Sequence, residues 1–148
     1  MKVLLIDDHV MFRQGMKFLL SDLDESLQFF EAGTFAEAMS SLHQNGADLI
    51  LLDLSMPDGD GLSALREIRA TFSAVPLAVV SGDDNPARIR ELVDEGAAGY
   101  IPKSSSSEIL VAALKLVLAG GVYLPPAALD FFAHPFELPM LCTLTMSS

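Results

Sequence analysis

Five side chains in this 148-residue chain have the types needed to hold a small cation and a phosphoryl group together: Asp7, Asp8, Asp53, Ser81 and Lys103. Carboxylates are hard oxygen ligands. They suit Mg²⁺, which is bound through one or two carboxylates plus phosphate and keeps several waters. Aspartate is also a nucleophile toward phosphorus, forming an aspartyl phosphate. A lysine offers a compact positive charge to a phosphoryl oxygen, and a serine hydroxyl offers a hydrogen bond to another. Such a set acts mostly by positioning and by neutralising charge on the transferring group. Each residue taken alone has an ordinary explanation. An aspartate after a strand commonly forms a turn or caps a helix, an acidic pair is commonly solvated, and Ser81-Gly82-Asp83 is common turn chemistry.

The elements around these residues decide the matter. Val3-Leu4-Leu5-Ile6 runs into Asp7-Asp8, and Leu49-Ile50-Leu51-Leu52 runs into Asp53. Leu77-Ala78-Val79-Val80 reaches Ser81, and Gly99-Tyr100-Ile101 reaches Lys103 after Pro102. Short apolar runs bounded by helical patterns read as buried parallel strands. A further extended stretch, Leu27 to Ala32, follows the acidic turn Asp22-Leu23-Asp24-Glu25.

Between the strands, residues 9–20 place Met11, Met16, Leu19 and Leu20 at helical spacing. Thr34-Phe35-Ala36-Glu37 is a capping box for a helix closed by Asn45-Gly46. A helix from Leu62 to about Phe72 turns Leu62, Leu65 and Ile68 inward. Asn85-Pro86 opens another that ends before Gly96. Ser105-Ser106-Ser107-Glu108 is a second capping box, for a helix ending at Gly120-Gly121. Five βα units in succession predict an α/β fold, a flavodoxin-like doubly wound (βα)5 with a five-stranded parallel sheet of order 2-1-3-4-5. Ligands bind beyond the carboxyl ends of the strands in such sheets, which is where all five candidates fall.

Bulk composition narrows the classes. With 51% hydrophobic and 20% charged residues, the chain reads as one ordinary folded domain. Its formal net charge of −11 and lack of a basic run predict no nucleic-acid contact by this chain itself. The one cysteine, Cys142, has no internal disulfide partner, and no run has membrane-spanning or signal-peptide character. Together these predict a cytoplasmic protein without membrane contact.

The sequence from residue 1 to about 124 resembles the receiver domain of two-component response regulators, in the LuxR/NarL-type subfamily. The resemblance is carried by Asp7-Asp8-His9 with Phe12-Arg13-Gln14-Gly15-Met16, and by Asp53-Leu54-Ser55-Met56-Pro57-Asp58-Gly59-Asp60-Gly61. Residues 96–104, around Tyr100 and Lys103, and Ala119-Gly120-Gly121-Val122-Tyr123-Leu124 add to it. It implies that Asp53 is the phosphoacceptor for a sensor histidine kinase. It further implies Mg²⁺ held by Asp8, Asp53 and the Ser55 backbone carbonyl, with Asp7 helping through water. Ser81 and Lys103 would contact the phosphoryl group, and Ser81 and Tyr100 would form the switch pair. The implied output surface is the last strand with the helices opening at Pro86 and Ser105, and Asp83 and Ser55 would tune the phosphate lifetime. Such a domain catalyses only its own phosphotransfer and dephosphorylation, and in the full-length type it regulates transcription.

In that subfamily a helix-turn-helix region follows, typically beginning with Leu-Thr. Here residues 125–148 form an apolar tail in that place, rich in proline, with Leu144-Thr145 near its end and a short helix expected over Ala127 to Ala133. The last helix is apolar nearly all round, from Ile109 through Leu118. A helix at a surface keeps a polar face, so this one needs cover from the tail, from a second copy in a homodimer, or from another protein. Two other classes compete. A haloacid-dehalogenase-type phosphatase also uses an aspartyl phosphate, but its Asp-x-Asp spacing differs from the adjacent Asp7-Asp8. A phosphate-independent receiver-like interaction domain would be expected to have lost part of the acidic cluster. His9 reads as an exposed loop imidazole rather than a ligand, and His43 and His134 have no partners at zinc-ligand spacing.

Overall fold

The computed structural model describes residues 1–21, 26–54, 61–82 and 86–125. Five strands and five helices alternate along them: β1 (Lys2–Ile6), α1 (Val10–Leu20), β2 (Gln28–Ala32), α2 (Phe35–Asn45), β3 (Leu49–Asp53), α3 (Gly61–Thr71), β4 (Leu77–Ser81), α4 (Pro86–Asp94), β5 (Gly99–Pro102) and α5 (Ser107–Leu118). The strands pair in parallel in the order β2-β1-β3-β4-β5, as the sequence predicts. The register sets Ile6 against Leu52 and Asp53 against Val80, so the carboxyl ends of β1, β3 and β4 form one edge.

Side chains alternate across the sheet, which splits the core in two. Leu4, Ile6, Ile50, Leu52, Leu77, Val79 and Tyr100 face α2, α3 and α4. Val3, Leu5, Leu49, Leu51, Ala78, Val80 and Ile101 face α1 and α5. Every residue of β3 and β4 is buried, the signature of strands covered on both faces. Beyond α5 the chain returns to the sheet edge. Tyr123 bridges to Gly99 in parallel, and the Tyr100 N–H donates to the Tyr123 carbonyl at 3.0 Å.

Local signals hold with small displacements. Thr34 is the N-cap of α2, its hydroxyl accepting from the Glu37 N–H at 3.1 Å, and Gly46 leaves the helix at φ +68°. At α5 the cap falls one residue later than the predicted box. Ser106 accepts from the Ile109 N–H at 3.3 Å, so Glu108 lies in the first turn but not at the position that reaches back to the cap. On α1 the inward stripe is Phe12, Met16, Leu19 and Leu20, and Met11 is exposed. The spacing from 12 to 16 to 20 keeps the buried face, whereas position 11 lies a full residue off it. On α5, Leu110, Ala113, Leu114 and Val117 are buried while Ile109 and Leu116 are exposed, leaving apolar surface among the described residues. The acidic turn at 22–25, Asn85 and the tail from 126 lie outside the described residues.

Gly96 turns the chain from α4 into β5 at φ +106°, with its N–H donating to the Val93 carbonyl at 3.0 Å. A Cβ there would stand 2.9 Å from Arg69 Cδ. Arg69 is itself held, its guanidinium donating to the carbonyls of Ser73 and Val75, and burial lowers its pKa from the usual value. Gly96→Ala is therefore expected to lower stability by about 1–3 kcal/mol, from a backbone conformation that L residues rarely adopt. A denaturant midpoint equal to that of the unaltered chain would contradict this.

Candidate functional site

The site begins with the way β1 ends. The Asp7 N–H still donates to the Ala32 carbonyl of β2 at 3.0 Å, so Asp7 is the last residue the sheet fixes. Its carboxylate then accepts the His9 N–H at 2.7 Å, an Asx turn that reverses the chain into α1. Arg13, one turn into α1, donates to the Asp7 carbonyl at 2.6 Å and pairs with Glu31 of β2 at 3.2 Å. Glu31 also holds Lys17 at 3.2 Å. These contacts fix the turn that carries Asp7 and Asp8.

Asp53 closes β3 beside it, with 1% of its side chain exposed; that of Asp7 is 5% exposed and that of Asp8 34%. Lys103 arrives from the far edge of the sheet. Ser81 pairs with Pro102 in the ladder, and the Lys103 N–H donates to the Ser81 carbonyl at 2.8 Å. Pro102 is tolerated there because β5 is the outermost of the five paired strands. The Lys103 ammonium reaches back to Asp7 Oδ2 at 3.0 Å and Asp53 Oδ2 at 3.2 Å, and it lies 4.8 Å from the centre of the Phe12 ring.

Asp7, Asp8, His9 and Asp53 each bring one ligand atom to within 4.8 Å of the others. Two buried carboxylates are tolerable only with compensating positive charge. Lys103 supplies one such charge beside the three carboxylates of Asp7, Asp8 and Asp53. Three carboxylates converging on one point fit a divalent cation of the Mg²⁺ type.

A family model described as the response regulator receiver domain matches residues 3–115. The chain belongs to that family. It is 37% identical over 125 residues to the transcriptional regulatory protein UhpA of Escherichia coli strain K12. That match takes in 84% of this chain and 62% of the relative. It is also 34% identical over 126 residues to a glycerol metabolism activator of Pseudomonas putida, covering 84% of this chain and 57% of that protein. The chain thus spans a little over half the length of these relatives. A crystal structure of a LuxR-family two-component response regulator from Aurantimonas sp. SI85-9A1 superposes with a TM-score of 0.80 at 28% identity, covering 87% of this chain and 92% of that one.

The receiver domain is a signalling module rather than an enzyme of the ordinary kind, and its class is consistent with phosphorylation-dependent signalling. The complete acidic cluster does not favour a phosphate-independent role. Among the described residues no helix is long and apolar enough to cross a membrane.

Of the residues singled out from sequence, the fold brings Asp7, Asp8, Asp53 and Lys103 together. Ser81 is buried at the carboxyl end of β4, one residue beyond the Val80 that pairs with Asp53. Tyr100 is on β5 with its ring fully buried between the sheet and the α2–α4 layer. Ser55 and Asp83 lie outside the described residues. Three residues were missed or discounted. His9, read as an exposed loop residue, is indeed 57% exposed, yet its Nδ1 turns into the cluster. Arg13 and Phe12 support the turn and the lysine. Their signal was available in part, because a helical arginine one turn after an acidic strand end sits where it can reach back to that end.

Proposed function

We propose that this receiver domain accepts a phosphoryl group on Asp53 from a sensor histidine kinase and passes the change to a partner through the face formed by α4, β5 and α5. The observation that carries the proposal is the buried Asp53 carboxylate sharing one ammonium, that of Lys103, with Asp7. In the transfer, an Asp53 carboxylate oxygen forms a bond to phosphorus. The bond from phosphorus to the donor breaks, and its electron pair leaves with the donor. Asp7 and Asp8, with Asp53 and the Ser55 carbonyl, would hold Mg²⁺, which supplies charge neutralisation at the phosphoryl oxygens. Lys103 is tethered by its own backbone to Ser81, so its ammonium can exchange a carboxylate for a phosphoryl oxygen with little rearrangement.

Ser81 donates its hydroxyl to the new group. Tyr100, two positions along β5 from the residue paired with Ser81, reports the change through the packing of its ring. An added phosphoryl group acts at a distance by favouring one of two arrangements of the domain. Residues 1–124 form the receiver unit, residues 125–148 lie where an output domain follows in the subfamily that the sequence resembles, and a homodimer would pair the exposed apolar surface of α5. Incubation of the chain with acetyl phosphate is expected to give a single phosphoryl adduct by intact mass in Mg²⁺ and none in excess chelator. An adduct indifferent to Mg²⁺ would overturn the metal's part, and no adduct under either condition would overturn the phosphoacceptor reading.

A further inference from the structure

His9 is the residue of the cluster that the proposed reaction leaves without a role. It occupies the N-cap position of α1, where Ser, Thr, Asp and Asn are preferred because their side chains accept a helix N–H. Its side chain makes no such bond. The ring is instead folded over the acidic edge by the Asx turn at Asp7. Its Nδ1 lies 2.9 Å from Asp7 Oδ1, 3.2 Å from Asp8 Oδ1 and 3.7 Å from Asp53 Oδ2. The first is a hydrogen bond between the two side chains. The first two separations are also those of adjacent ligands around one six-coordinate ion, which stand about 3 Å apart when its bonds run about 2.1 Å. On binding, the ion would take the place of the proton between them. The Lys103 ammonium is 3.1 Å from the same nitrogen, within hydrogen-bond distance.

Donor type then decides which ion is preferred. Carboxylates, carbonyls and water suit Mg²⁺, whereas an imidazole nitrogen suits Ni²⁺, Zn²⁺, Cu²⁺ or Fe. Resting on the metal site proposed above, we infer that His9 is a ligand through Nδ1, and that it makes the site bind first-row transition ions such as Ni²⁺ and Zn²⁺ more tightly than Mg²⁺. The exposure of the His9 side chain, 57%, leaves its ring free to settle onto an ion without disturbing the core. Asp7, Asp8, Asp53 and the Ser55 carbonyl remain the rest of the proposed metal set.

The test is calorimetric titration of the full chain with Ni²⁺ and with Mg²⁺, for the unaltered sequence and for His9→Ser. Serine is a strong N-cap, so the variant keeps the start of α1. In the unaltered chain Ni²⁺ is expected to bind at least about tenfold more tightly than Mg²⁺, as a nitrogen donor favours it. His9→Ser is expected to weaken Ni²⁺ by about tenfold or more while leaving Mg²⁺ within about twofold. A Ni²⁺ affinity unchanged by the substitution, or an equal loss for both ions, overturns the role of His9 alone. Binding of neither ion overturns the metal reading of the proposed function as well. An independent readout needs no variant: Zn²⁺ is expected to shift the ¹⁵N resonance of His9 Nδ1 far more than Mg²⁺ does. Equal small shifts would overturn the assignment.

Discussion

Asp53→Asn is expected to abolish phosphoryl transfer to this chain, with intact mass showing no adduct after incubation with acetyl phosphate and Mg²⁺. The amide is nearly the same size as the carboxylate but has no anionic oxygen to bond to phosphorus. Its fold should survive, because the substitution removes one negative charge from a cluster in which Asp53 and Asp7 share one ammonium and Asp8 lies close by. The size of the effect follows from the absence of a substitute. Asp7 is similarly buried, but it lies on β1, its carboxylate takes the His9 N–H, and its backbone is tied to β2 and Arg13. Asp8 is partly exposed and on the turn. An adduct that persisted at full yield in Asp53→Asn would move the acceptor elsewhere and would remove the central argument for the site.

Lys103→Met is the second large effect, and it has two parts. Without Mg²⁺, it leaves the carboxylates of Asp7 and Asp53 buried without the ammonium that lies 3.0 and 3.2 Å from them. Removing one partner of a buried pair costs about 3–5 kcal/mol, because the remaining charge is uncompensated. Here the loss is expected at the lower end, about 3 kcal/mol, since Lys103 keeps 20% of its side chain exposed and water can reach the gap. For a chain of this size that corresponds to a fall of about 10 °C in Tm. Methionine keeps an unbranched apolar side chain but puts no cation over the Phe12 ring, so the loss reports the charge, both in the ion pairs and above the ring. Added Mg²⁺ is expected to restore more stability to the variant than to the unaltered chain, because a bound ion stabilises the folded state in proportion to its affinity there. The second part is transfer itself, which should slow even with Mg²⁺ present, since no ammonium then meets the phosphoryl oxygens. If the variant were as stable as the unaltered chain in chelator, the ion pairs would be surface-like and the charge argument for the site would fail.

Both predictions depend on residues that the sequence placed at strand ends before any distance was known. That was possible because strand runs such as Leu49–Asp53 and Leu77–Ser81 are buried on both faces and so appear as unbroken apolar stretches ending on one polar residue. Helix boundaries were legible where a short polar side chain had a backbone N–H to accept, as at Thr34, and misplaced by one residue in the serine run before α5, where three neighbours compete for the cap. The sequence places Met11 at helical spacing with Met16, Leu19 and Leu20, whereas the phase of α1 turns Phe12 toward the core and leaves Met11 exposed.

The sequence by itself determined the βα alternation, the strand order through its fit to the flavodoxin-like doubly wound pattern, and the identity of the acidic, hydroxyl and basic groups at the carboxyl edge. These follow from periodicity and from residue type, which are local. Only the tertiary structure decided that Lys103 stands between Asp7 and Asp53, that the Tyr100 ring is fully buried, and that His9 Nδ1 faces the cluster. Lys103 and His9 are separated by 94 positions. Their meeting depends on the register of four paired strands and on one Asx turn, and no local pattern encodes the sum of those geometries.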